Sequence, residues 1–114
     1  TEGKIYGALL PEGKTPVWMV PDQYLDRVKI LNGPPHSLLP KVVEEMEGID
    51  VFYYACDHDH KNMMAAFTMV RNKLSKGALV VAVDMGWNAS LWEFADSNDV
   101  PSYTFRGSIG VGFF

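Results

Sequence analysis

A chain of 114 residues with 47% apolar and 21% charged residues is long enough to bury one core and too short for several, so a single domain is expected. Its net charge of −4 and pI near 5.2, with ten Lys and Arg scattered along the chain, exclude the basic face that captures nucleic acid. No stretch approaches the roughly 20 apolar residues of a membrane span, Thr1-Glu2-Gly3-Lys4 lacks a signal peptide's hydrophobic region, and the lone Cys56 excludes an intrachain disulfide.

Residues Lys4 to Leu10 form a short apolar run closed by Pro11-Glu12-Gly13, which predicts a strand and a turn. Val17 to Val20 is a second short run between two prolines. Pro21 then opens a single helical turn that leads into a strand over Val28 to Leu31, stopped by Asn32-Gly33-Pro34-Pro35. Ser37 is the expected cap of a helix reaching roughly Glu47, with Leu38, Leu39, Val42, Val43 and Met46 at helical spacing and Gly48 as its stop.

Asp50 opens Val51-Phe52-Tyr53-Tyr54-Ala55-Cys56, an apolar run of the kind that parallel sheets bury on both faces. The polar segment Asp57-His58-Asp59-His60 comes next. Met63, Phe67, Val70 and Leu74 then mark one face of a helix ending near Ser75-Lys76-Gly77. Ala78 to Val83 is a second fully apolar strand with Asp84 at its carboxyl end, where open α/β sheets bind ligands. Ser90 is placed to cap a short helix over Leu91 to Ala95. Tyr103 to Phe105 and Ile109 to Phe114, joined by Arg106-Gly107-Ser108, predict a closing antiparallel hairpin. Strands alternating with helices in this way call for right-handed crossovers and a largely parallel sheet.

Several groups invite a chemical reading. Ala8 to Thr15 fits a relaxed phosphate-loop pattern, but Pro16 and the VWMV run deny it the helix that the motif requires, which favours a tight turn. Asp57-His58-Asp59-His60 combines two carboxylates with two imidazoles, a set suited to a general base or a divalent cation. Neighbours on an extended segment point to opposite sides, so the four cannot converge, and Asp59 can instead cap the next helix. Met63, Met64 and Met69 read as packing residues and Cys56 as a small buried hydrophobe; Trp87 and Trp92 suit either a pocket or a sheet edge.

The stretch Val28 to Leu91 resembles class I S-adenosylmethionine-dependent methyltransferases, nearest to the small-molecule O-methyltransferases. Gly33-Pro34-Pro35-His36-Ser37 is similar to the segment after the family's third strand that contacts adenine, with His36 at the polar position. Asp50 to His58 resembles the fourth strand and its acidic, histidine-bearing loop, and Leu74-Ser75-Lys76-Gly77 the lead into the fifth strand. Asp84 with Trp87-Asn88 is similar to the family's segment just beyond that strand.

The resemblance implies a three-layer α/β sandwich with a Rossmann-like, mostly parallel sheet and a C-terminal antiparallel hairpin. It implies S-adenosylmethionine as cofactor, bound by Gly33, His36, Asp57 and a ribose-binding acid that is either Asp22 or Glu12. Asp57 or His58 would be the catalytic base for methyl transfer to an oxygen of a small molecule. The metal-dependent branch carries an acidic residue at the position of Ala55 and an aspartate-asparagine pair at Asp84-Met85, so no metal is expected. The glycine-rich first loop lacks a counterpart, which implies that the first strand and helix are missing or abbreviated and that the sheet breaks there. The alternative is a non-catalytic methyltransferase-like module that binds a ligand or a partner. The aromatic tail Gly110 to Phe114 would then pair across the edge of a homodimer. The expected compartment is the cytoplasm, and Thr at position 1 implies residues upstream of it.

Overall fold

The computed structural model describes residues 3–9, 20–56, 59–83, 89–106 and 108–114. The chain divides into two compact units, Thr1–Val42 and Val43–Phe114.

In the smaller unit, strand β1 (Ile5–Leu9) pairs in parallel with β2 (Val28–Asn32), from Ile5 opposite Val28 to Leu9 opposite Asn32. The turn expected after Pro21 is a 3-10 helix, Asp22–Arg27, in which Tyr24 N–H donates to the Pro21 carbonyl at 2.9 Å. The proline supplies a preset φ where no N–H is needed. The run predicted at Val17 to Met19 lies outside the described residues, and Val20 is in a bend.

Helix α1 (Pro35–Glu45) begins three residues before the start that a cap at Ser37 predicts. Ser37 is therefore not its cap: Ser37 and Leu38 both donate N–H to the Pro34 carbonyl, at 3.0 and 3.2 Å. Pro35, with no N–H to satisfy and a helical φ built in, wins the first helical position over the serine. Pro40 sits inside the helix, where it has no N–H for the His36 carbonyl. Val42 and Val43 are the buried residues of α1.

The predicted stop at Gly48 also shifts. The helix ends at Glu45, and Lys73 Nζ donates to the Met46 carbonyl at 2.8 Å. Gly48 instead allows a close approach, since a Cβ there would lie 3.1 Å from Ser75 Oγ.

The larger unit holds β3 (Ile49–Tyr54), α2 (His60–Val70), β4 (Leu74–Ala82), α3 (Ser90–Ser97), β5 (Ser102–Phe105) and β6 (Ile109–Phe113). Its sheet runs in the order β3-β4-β6-β5, with β3 and β4 parallel and β6 antiparallel to both β4 and β5. The sheet is thus mixed, and separate from the β1-β2 pair. The expected mostly parallel sheet is realised only in those two parallel pairs.

Strand β4 starts four residues earlier than predicted. Leu74, expected on the face of α2, pairs with Ile49, because Arg71–Lys73 turns as a 3-10 helix and delivers it to the sheet. Asp59 caps α2 as anticipated, its Oδ2 accepting from Asn62 N–H at 3.2 Å. Ser90 does not cap α3; it is the first helical residue and is fully buried.

One face of the sheet carries α2 and α3. Phe67 of α2 meets the rings of Phe52 and Tyr54 at 6.3 and 5.7 Å and stacks on Phe94 of α3 at 5.3 Å. Cross-strand rows on this face shrink from Phe52 through Val80 to Gly112, and from Tyr54 through Ala82 to Gly110. The glycines of β6 leave room for α3, whose Leu91 Cδ1 would lie 3.7 Å from a Cβ at position 112. Trp92 Nε1–H donates to Thr104 Oγ1 at 3.0 Å and ties α3 to β5.

The opposite face departs from expectation. The apolar run of β3 predicts burial on both sides, yet Val51 and Tyr53 are 59% and 62% exposed, because α2 and α3 share one face. A three-layer arrangement is therefore not formed by the described residues of this unit. Strand β6 lies between two neighbours, so the C-terminal strand has no free edge for pairing across a dimer. No helix among the described residues is long and apolar enough to cross a membrane.

Candidate functional site

The carboxyl ends of the parallel pair β3 and β4 are held together by Val83 N–H, which donates to the Tyr54 carbonyl at 3.2 Å. Beyond β3 come Ala55 and the half-buried Cys56, which forms no disulfide. Asp57 and His58, the predicted catalytic pair, lie outside the described residues, as do Asp84, Trp87 and Asn88 beyond β4.

The next two residues are placed. Asp59 spends its carboxylate on the cap of α2, the structural role open to it from the sequence. His60 opens α2, and its Nε2 lies 2.6 Å from Glu93 Oε2 in the first turn of α3. Both side chains remain about half exposed, at 51% and 54%. When Nε2 carries the proton, it donates to the carboxylate, which fixes the tautomer and leaves Nδ1 as the basic nitrogen. The amino ends of two helices, each with a partial positive charge, flank this pair at the carboxyl end of the parallel strands.

Glu93 belongs to no motif in the sequence. It stands 33 residues from His60, and its only local signal is an acidic residue in the first turn of a helix, which the helix dipole explains equally well.

In the smaller unit, Gly33 lies just past the end of β2 with φ +147°, a conformation that side chains rarely adopt, and a Cβ there would crowd Leu38 Cδ1 at 3.3 Å. His36 is the second residue of α1 and half buried, so these two predicted residues meet where strand passes into helix. Asp22 is exposed and opens the 3-10 helix that feeds the amino end of β2, so the whole of β2 separates it from Gly33 along the chain. Glu12, its alternative, lies outside the described residues, as does most of the phosphate-loop pattern. A cavity of about 160 Å³ lined by Lys4, Tyr6, Asp26, Arg27 and Lys29 occurs at the amino ends of β1 and β2, away from the carboxyl end.

Among the described residues no group of three His, Cys, Asp or Glu is placed to hold a metal ion. Met63 is buried in the core, and Met69 is 37% exposed on the outside of α2, so the methionines do not gather into a ligand set.

The chain shares its fold with solved methyltransferases. A methyltransferase from Geobacter sulfurreducens superposes with a TM-score of 0.61 at 20% identity, covering 81% of this chain and 47% of that one. The MycE methyltransferase of the mycinamycin biosynthetic pathway, solved in complex with Mg and SAH, gives a TM-score of 0.63 at 12% identity over 98% of this chain and 45% of its own. The chain therefore spans less than half the length of either. Neither a protein-family model nor a curated protein matches it.

Proposed function

We propose that this chain is a methyltransferase-like domain that uses S-adenosylmethionine to methylate an oxygen of a small molecule. The observation that carries the reading is the fold likeness to two methyltransferases, joined to an acidic, histidine-rich segment at the carboxyl end of β3. The SAH bound to MycE supports the same cofactor here.

The residues at the end of β2 fit the adenosine half of that cofactor. Gly33 turns the backbone where a side chain would crowd Leu38, and the half-buried His36 offers a ring nitrogen at the start of α1. Asp57 is assigned to the cofactor, and Asp22 or Glu12 to its ribose, as the methyltransferase resemblance implies. The bound cofactor supplies an electrophilic methyl group whose sulfur leaves as a neutral thioether.

The chain has then to orient the acceptor oxygen and remove its proton. His58 or Asp57 takes that proton, while His60, held by Glu93, borders the same loop. We place no metal in the site, because Ala55 is neutral and because Met85 stands where an asparagine ligand would be required.

The test is a calorimetric titration with S-adenosylmethionine and with S-adenosylhomocysteine. Micromolar binding, about −8 kcal/mol, that weakens in Asp57→Asn is the expected outcome. Absence of heat and of thermal shift with both compounds would refute it. The lack of a counterpart to the family's glycine-rich first loop in the sequence favours one second reading, a non-catalytic module of the same fold. That reading predicts no turnover of any acceptor even where cofactor binds.

A further inference from the structure

We draw no further inference here: the strongest candidate, the cavity of about 160 Å³ at the amino ends of β1 and β2 where Lys4, Arg27 and Lys29 gather with Asp26 and Tyr6, carries nothing, because nothing in the structure shows what covers it.

Discussion

His60 and Glu93 join the amino ends of α2 and α3 through a 2.6 Å contact at the carboxyl end of the parallel strands. An exposed pair of this kind contributes little to folding, typically under 1 kcal/mol. Glu93→Gln should therefore shift the urea midpoint by no more than about 1 kcal/mol of stability. In a chain with methyl-transfer activity, the same variant should lower turnover and leave cofactor affinity unchanged. A large loss of stability would mean that the pair is structural.

Phe67 is the hub of the larger unit, fully buried and in ring contact with Phe52, Tyr54 and Phe94. Phe67→Ala is expected to cost about 3–5 kcal/mol, a large share of the stability of a small domain. Chemical denaturation of the variant measures it, and a cost under 1 kcal/mol would show that the core collapses around the cavity.

Gly77 interrupts β4 with φ +83°, and a Cβ there would meet nothing within 4 Å. Gly77→Ala should still destabilise by about 1–2 kcal/mol, because the penalty is in the backbone and not in a clash. An unchanged melting temperature would show that the strand relaxes to an ordinary φ.

Asp59 is the only member of the acid-histidine segment with an assigned structural duty among the described residues: it accepts from Asn62 N–H. Asp59→Ala should cost about 1 kcal/mol and Asp59→Asn only a few tenths, since asparagine caps nearly as well. Equal losses in both would point to its charge, not its cap.

Periodicity and punctuation made most of the elements legible. The helix over Met63, Phe67 and Val70, the apolar runs of β3 and β4 and the closing hairpin all fall where local pattern put them. Boundaries went astray where a backbone requirement outweighed the local signal. Pro35 took the first position of α1 from Ser37, Ser90 entered α3 and did not cap it, and Leu74 left the helix pattern to pair with Ile49. The turn at Gly33 is legible because glycine suits that backbone, and the capping role of Asp59 because a cap acts within three residues.

The sequence by itself determined which residues are apolar, where the chain turns and which segments become helix or strand, since these depend on interactions within a few residues. Tertiary structure alone decided the rest. It set Glu93 against His60 across 33 positions, placed β6 between β4 and β5, and separated the β1-β2 pair from the larger sheet. It also left Val51 and Tyr53 of the mostly apolar strand β3 exposed among the described residues, because burial depends on which elements pack against a face, and no local pattern encodes that.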